Sequence, residues 1–368
     1  MRRLGINYLK KGMKIARAIY RADGQVVIGV GVELTDDYIK QLPIQGVTAV
    51  YIQDERLAGI EINDIISDEM RVIAVKKSKA INDELATIYN NSKTDSNKNI
   101  SDLLENLHNR LDTLGKNIVD DLLSMKNPML QLIDTRYNED YIYSHMVNVA
   151  VIAVLIGKNL GYTREKLVDL AKGCLVIDIG IILGVPKEIR EKTEALTEAE
   201  LKIIKGHPKI GYEFMKKMRN LSILSAHVCF QHHERYNGEG YPRALSKNEI
   251  TEFGYIAGLA DVYDAITNNR NYKTRVLPGK AREFLMVSRD VFFPAYIVDK
   301  FLEKIPVYPT GMSLLLSNGN EGVVVSQNKD ALNLPIIRIL KEGNTELNKC
   351  YDIDMQNEIS VVIQQILD

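Results

Sequence analysis

Cysteine is scarce in this sequence. The three cysteines, Cys174, Cys229 and Cys350, lie far apart and form no C-x-x-C pair. A disulfide framework needs an even set of cysteines and an oxidising compartment. The sequence therefore indicates a protein of the reducing cytoplasm.

Long apolar runs, a secretory leader and an excess of one charge are also lacking. The first residues, MRRLGINYLKKGM, are charged, but no apolar region follows them as it would in a signal peptide. No apolar run approaches the roughly 20 residues of a membrane helix. The formal net charge is −1, which gives no basic footprint for duplex nucleic acid. We therefore expect a soluble cytoplasmic protein with no membrane span and no duplex nucleic acid partner.

The composition is that of a folded protein with several structural units. Of the 368 residues 45% are hydrophobic and 26% are charged, as in globular domains. Periodicity predicts a mainly α protein with four segments: a small α/β accessory module at 1–75, a helical linker at 76–135, a helical metal-binding domain at 136–305 and a β-rich extension at 306–368.

Turn signals separate short strand candidates in both terminal segments, at Ala22–Asp23–Gly24 in the first and at Asn318–Gly319 in the second. Thr35 is expected to cap a short helix in the first of them. The predicted strands are Met13–Tyr20, Val26–Val30, Val47–Gln53, Ser313–Leu316, Gly322–Ser326 and Pro335–Leu340, and Ile359–Leu367 is predicted as a final helix or strand.

The linker contains a helix that Ser101 is expected to cap. Its apolar residues alternate at spacings of three and four: Leu104, Leu107, Leu111, Leu114 and Ile118. That pattern fits an amphipathic helix packed on the next domain, which we favour, and also a short coiled-coil seam that forms a homodimer.

Unusual polar residues interrupt the apolar helices of the 136–305 segment. Asp178 lies in an apolar run at the end of a helix predicted over Lys166–Ile179, where a carboxylate is costly unless it is paired or binds metal. His207 precedes Pro208, so it lies at a helix break. The preceding helix opens with a Thr197–Glu200 capping box.

The stretch QHHERYNGEGYP at 231–242 is the most unusual in the chain. Two adjacent imidazoles and a glycine-rich turn would suit a bound cation and a closely approaching ligand. Singly, such residues are more often structural. Together the helical segment supplies four imidazoles and two carboxylates, a set that suits iron, manganese or zinc: His145, Asp178, His207, His232, His233 and Asp261.

At these residues the sequence resembles the HD-GYP family of metal-dependent phosphodiesterases that open cyclic di-GMP. The resemblance runs from about Glu139 to Leu340. It is carried by HMVNVAVIA at His145, VIDIG at Asp178, LTEAELKIIKGHP at His207, HHERYNGEGYP, and ADVYDAITNNRNY at Asp261. It implies an HD-type, all-helical core domain.

The resemblance also implies roles for individual residues. One metal would be held by His145, Asp178 and Asp261. A second would be held by His207, His232 and His233, with Asp178 bridging the two as the catalytic carboxylate. The substrate, cyclic di-GMP, would contact residues in and after the glycine turn: Arg235, Gly238, Gly240, Tyr241, Pro242, Arg270 and Tyr272.

The sequence departs from the family pattern at four positions. Ile177 and Ile181 replace the histidine and lysine of the HD-x-G-K motif, Asn237 replaces an aspartate, and Tyr141 replaces the glutamate of three-metal members. Loss of one transition-state donor costs about 3 kcal/mol, or about a hundredfold in rate. We therefore expect one firm metal site, a second weak one and reduced or absent hydrolysis.

Three functions follow from this interpretation. The chain could be a cyclic di-GMP phosphodiesterase that keeps some activity. Alternatively, it could be a receptor that binds a cyclic dinucleotide or a partner without turnover. The third alternative is a dimerising scaffold with one structural metal.

Overall fold

The computed structural model describes residues 1–367 except 21–24, 61, 63, 93–99, 126–127, 131–140, 193, 268–275 and 330. The described chain is mainly α, as the sequence predicts, with β structure near both ends. Its helices are α1 (Asp36–Ile44), α2 (Asp68–Asn91), α3 (Ile100–Ser124), α4 (Tyr141–Asn159), α5 (Arg164–Cys174), α6 (Ile179–Gly184), α7 (Lys187–Arg190), α8 (Glu198–Ile204), α9 (His207–Met215), α10 (Ile223–Gln231), α11 (Glu252–Thr267), α12 (Pro278–Val287) and α13 (Ala295–Leu302).

The long helices share one hydrophobic core that extends from Ile65 to Ile305. Helix α4 lies at its centre, against α5 and α11, and α10 packs on α5 and α9. Thr163 and Thr197 cap α5 and α8 with their side chains, and Thr197 and Glu200 form the predicted capping box. The caps satisfy backbone N–H groups that a helix start leaves unpaired.

The segment expected to be a linker contributes two helices to this core. α3 packs against α2 and α5, and its five seam residues from Leu104 to Ile118 are buried within the chain. The favoured packing on the next domain agrees with this arrangement, whereas a coiled-coil dimer through the same seam does not, because the seam is already covered. The helix begins at Ile100, so Ser101 lies inside it. We propose that the helical domain begins near Asp68.

α4 is the one helix of the described residues that is long and apolar enough to cross a membrane, with a mean hydropathy of 1.4. The sequence analysis expected no such stretch. However, 78% of the apolar window lies buried inside the protein. The apolar length of α4 is therefore explained by its place in the core.

The predicted single helix over Lys166–Ile179 is wrong. The chain forms α5, a turn at 175–178 and then the short α6. Asp178 is the residue before α6, with φ −100° and ψ 16°. The break turns its carboxylate away from the helical repeat of α5.

The strands form two small pairs near the start of the chain and one larger sheet near its end. They are β1 (Arg2–Gly5), β2 (Ile19–Tyr20), β3 (Val26–Ile28), β4 (Ala49–Ile52), β5 (Ser313–Leu316), β6 (Glu321–Asn328), β7 (Ala331–Glu342), β8 (Thr345–Asp354) and β9 (Ile363–Ile366). The antiparallel sheet has the order β8-β7-β6-β5-β9.

Most predicted strands are present with altered bounds. Thr35 caps α1 as expected. Met13–Tyr20 is a strand only at Ile19–Tyr20, and β1 and β8 were not predicted. The turn expected at 22–24 lies outside the described residues.

The two terminal segments join into one β unit. The N–H of Arg3 donates to the carbonyl oxygen of Gly311 at 2.7 Å, and that of Gly5 donates to Leu367 at 3.1 Å. Leu57 is buried with Val323 and Leu340 of the large sheet. The accessory module and the C-terminal extension therefore share backbone hydrogen bonds and an apolar contact.

Candidate metal centre

Four of the six predicted ligands form one compact group. The ligand atoms of Asp178, His207, His232 and His233 all lie within 4.8 Å of one another. They come from the turn before α6, the start of α9 and the residues just after α10. Asp178, His207 and His232 are buried, and His233 is partly exposed.

The imidazoles of this group point their lone pairs towards one another. Nδ1 of His207 lies 2.7 Å from the Ile204 carbonyl oxygen, and Nδ1 of His232 lies 3.1 Å from the Val228 carbonyl oxygen. Since a carbonyl only accepts, these nitrogens donate, and each Nε2 of a neutral ring keeps its lone pair. The two Nε2 atoms face each other at 3.3 Å. Facing acceptors of this kind suit a cation between them.

Asp178 adds the negative charge of the group. Its Oδ1 lies 3.3 Å from Nε2 of His207 and 3.7 Å from Nε2 of His232. Its Oδ2 lies 3.6 Å from Nε2 of His145. The two carboxylate oxygens therefore face the two halves of the predicted centre.

The other two predicted ligands, His145 and Asp261, pair with each other. Nε2 of His145 lies 3.0 Å from Oδ1 of Asp261, and Nδ1 lies 2.7 Å from Oδ2 of Asp264. Asp264 was not predicted as part of the centre. Its position three residues after Asp261 on α11 was the available signal, because residues three apart share a helix face.

Glycine permits the close approach that brings Asp178 to His207. A Cβ on Gly180 would lie 2.0 Å from the His207 carbonyl oxygen and 2.8 Å from the Gly211 nitrogen. Any larger residue would separate α6 from α9. Gly180 therefore sets the distance between two ligands of the group.

The glycine turn folds back onto the histidine pair. A Cβ on Gly240 would lie 2.4 Å from the Arg235 nitrogen, so the turn can touch this backbone only with glycine there. The buried carboxylate of Glu234 accepts from the N–H groups of Arg243 and Leu245, each at 2.9 Å. Tyr241 stacks on His233, with ring centroids 4.5 Å apart.

The predicted substrate residues differ in their placement. Nη1 of Arg235 donates to the carbonyl oxygens of His232 and Glu234 at 2.9 and 2.8 Å, which fixes the turn. Gly238, with φ 82°, and Pro242 belong to the same turn. Arg270 and Tyr272 lie outside the described residues.

Burial and charge set the protonation of the centre. Burial lowers the pKa of His232 to about 4, and burial followed by the charge of His232 lowers that of His233 well below its usual value. Burial alone would lower the pKa of His145, but hydrogen bonds to Asp261 and Asp264 raise it well above its usual value. His232 and His233 are therefore neutral bases, whereas His145 holds a proton that a metal ion would have to displace.

The donor set fits a divalent transition metal. Neutral imidazole suits iron, manganese and zinc, and buried carboxylates that face lone pairs need a cation. Asp178, His207, His232 and His233 would hold one ion. His145 and Asp261 with the second oxygen of Asp178 would hold another, with fewer ligands.

Comparison with known proteins places the centre within a family. The HD domain profile matches residues 117–290. The chain is 29% identical over 235 residues to the cyclic di-GMP phosphodiesterase PA4108 of Pseudomonas aeruginosa, covering 63% of this chain and 56% of that protein. It is 32% identical over 212 residues to the cyclic di-GMP phosphodiesterase PdeB of Borreliella burgdorferi, covering 56% of this chain and 55% of that protein.

A cyclic di-GMP phosphodiesterase of Thermotoga maritima is 28% identical over 236 residues, covering 64% of this chain and 62% of that protein. The chain thus spans between 55% and 62% of the length of these relatives. The HD domain match contains all six converging side chains. Residues 117–290 of this chain therefore form an HD domain, similar in sequence to that part of these cyclic di-GMP phosphodiesterases.

Proposed function

We propose that this protein is a metal-dependent phosphohydrolase that binds cyclic di-GMP and opens it slowly. The observation that supports this most directly is the group of Asp178, His207, His232 and His233, whose ligand atoms lie within 4.8 Å of one another. The cyclic di-GMP phosphodiesterases to which the chain is similar suggest the substrate.

The residues of the chain would divide the work as follows. Asp178 would contribute one carboxylate oxygen to each half of the centre. Asp264 would keep the ring of His145 oriented through its 2.7 Å hydrogen bond. A bound divalent ion would supply an acidified water and neutralise the charge that develops on the phosphate.

Two isoleucines make the proposed reaction slow. Ile177 is fully buried in the core and offers no atom for coordination. Ile181 brings no cation to the phosphate. The four-ligand half of the centre is independent of both, so we propose one tightly held ion per chain and a weaker second one, with iron or manganese favoured and zinc as the alternative.

Calorimetric titration with cyclic di-GMP, followed by chromatography of the same sample, tests this proposal. We expect heat of binding from the metal-loaded protein and slow appearance of linear or mononucleotide product. Absence of binding would contradict the proposal. Elemental analysis after exhaustive dialysis checks the metal count, and two full equivalents would contradict the prediction of one.

Restoring the two lost side chains measures their contribution. We expect the double variant Ile177→His, Ile181→Lys to hydrolyse cyclic di-GMP faster than the wild type, since it gains a ligand and a cation. The expected gain is about a hundredfold, the usual effect of one transition-state donor. An unchanged rate would mean that the rest of the pocket also limits the reaction.

A receptor without turnover is the second candidate. The observation that favours it is the burial of Ile177 in the core. Because Ile177 supplies no ligand atom, the second metal site has only His145, Asp261 and one oxygen of Asp178. Binding of cyclic di-GMP with no product from the metal-loaded wild type would select this candidate.

A further inference from the structure

An exposed lysine, Lys205, approaches the tyrosine ring that stacks on the histidine group. Nζ of Lys205 is 5.6 Å from the centroid of the Tyr241 ring, and the same ring stacks on His233 at 4.5 Å. A cation at this distance from an aromatic ring is attracted to it and still keeps its N–H donors. Within the described part of the chain, Lys205 has no carboxylate partner within 4 Å.

The backbone fixes Lys205 relative to the centre. Lys205 caps α8, and its N–H donates to the Leu201 carbonyl oxygen at 2.8 Å. Gly206 follows, and His207 begins α9. The ring of His207 also reaches back to the Ile204 carbonyl oxygen. The side chain of Lys205 therefore starts at the same α8–α9 junction that orients His207, one of the histidine ligands.

Two other described cations near the glycine turn have contacts of their own. Arg235 donates to two backbone carbonyls. The guanidinium of Arg243 lies 4.3 Å from the centroid of the Phe230 ring. An anionic ligand at the centre would gain from a positive group besides the metal, because opposite charges attract at short range.

We infer that Lys205 binds a phosphate oxygen of the ligand at the mouth of the metal centre. The identity of that ligand as a cyclic dinucleotide rests on the proposed function. The contact itself depends only on an anion at the metal. Because Lys205 is exposed, its contribution is that of a screened ion pair, about fivefold in affinity at most.

Inorganic phosphate is the probe that separates the two claims. We would load the full chain with Mn²⁺ and follow the phosphorus-31 relaxation of added phosphate. The wild type should show a saturable enhancement, and Lys205→Met should require about fivefold more phosphate for half saturation. Lys205→Arg should stay near the wild type, as should the control Lys209→Met, which removes another exposed lysine.

The outcomes are distinct. Equal half saturation in the wild type and in Lys205→Met, with equal manganese content, would overturn the inference, and so would enhancement that never saturates in the wild type. A Lys205→Gln variant repeats the measurement if Lys205→Met loses metal. Weakened phosphate binding in a protein that binds no cyclic dinucleotide would keep the lysine contact and refute the proposed function.

Discussion

A single carboxylate, Asp178, faces both halves of the metal centre. Its two oxygens lie 3.3 Å from His207 and 3.6 Å from His145. Burial alone would raise its pKa, but the neighbouring imidazoles, His207 first and then His145, hold it well below its usual value. The carboxylate is thus ionised in the absence of metal, and its removal takes from both halves of the centre a negative charge that a bound cation would use.

We expect Asp178→Asn to lose metal more completely than any other single amide substitution of a carboxylate. Loss of a group that only orients a ligand costs about 10–100-fold in metal affinity, and loss of a bridging ligand should cost more. Elemental analysis after dialysis checks this. Asp299→Asn, at an exposed ion pair with Arg289, is the control and should retain the wild-type metal content.

The prediction from sequence and the structure differ most at the short turn before α6, which sets the direction of the Asp178 side chain. The types and order of the six ligand residues could be recognised from the sequence, because charged and imidazole groups stand out against apolar helices. The break after Cys174 could not, since the run from Leu175 to Ile179 is apolar except for Asp178 and carries no proline or glycine until Gly180. The partner of His145, Asp264, required the distance between two helices that are 119 residues apart in sequence.

At the scale of elements, helix α3 is an amphipathic helix whose apolar seam is covered within the chain. Where α3 packs on α5, Lys172 of α5 forms ion pairs with Asp112 of α3 at 3.3 Å and with Asp169 of its own helix at 2.8 Å. His108 is buried beside them, and its pKa is lowered first by burial and then by the charge of Lys172. A neutral imidazole therefore lies between two helices of the core.

This burial makes the stability of the α3–α5 contact dependent on pH. Above the unfolded pKa of about 6.5, His108 is neutral in both states and its contribution to stability is full. As the pH falls below that value, the unfolded chain binds a proton before the folded protein does, so stability is lost. We expect His108→Leu to show a smaller fall in the free energy of unfolding between pH 7.5 and 5.5.

Urea denaturation of both proteins with metal removed by a chelator makes the comparison. The histidines of the centre titrate alike in the wild type and in the variant, so their contribution cancels in the difference. Parallel curves for the two proteins would contradict the role assigned to His108.

At the scale of the whole molecule, apolar contacts join the two terminal segments of the β unit, and polar contacts join that unit to the helices. Arg71, buried in α2, donates to Asn148 of α4 at 2.9 Å and to Asp64 at 3.1 Å. Arg17 of the accessory module also reaches Asp64, at 3.4 Å. Asn148 lies three residues after His145, so a chain of polar contacts leads from the accessory module to the helix of a metal ligand.

The two terminal segments should lose their protection from amide hydrogen exchange together when the contact between them is weakened. Leu57 is 1% exposed and packs on Val323 and Leu340. Truncating such a residue to alanine costs about 2–5 kcal/mol. We expect Leu57→Ala to raise amide hydrogen exchange in β1 and in β6 at the same time and to leave α4 unchanged.

The exposed Ile44, at 77% of its reference area, is the matched control, and Ile44→Ala should leave exchange as it is in the wild type. Faster exchange in β1 alone would show that the two terminal segments are separate units, against the contact described here.

The backbone hydrogen bonds between the two terminal segments have a mechanical consequence. The chain leaves the β unit after β4 and returns to it before β5. Two chain connections, one on each side of the helical domain, therefore join that domain to the β unit. With one connection the helical domain could rotate in any direction relative to the β unit. With two connections, a rigid rotation is confined to the axis that passes through both. A movement of the β unit therefore pulls on the helical domain ahead of α2 and behind α13 simultaneously.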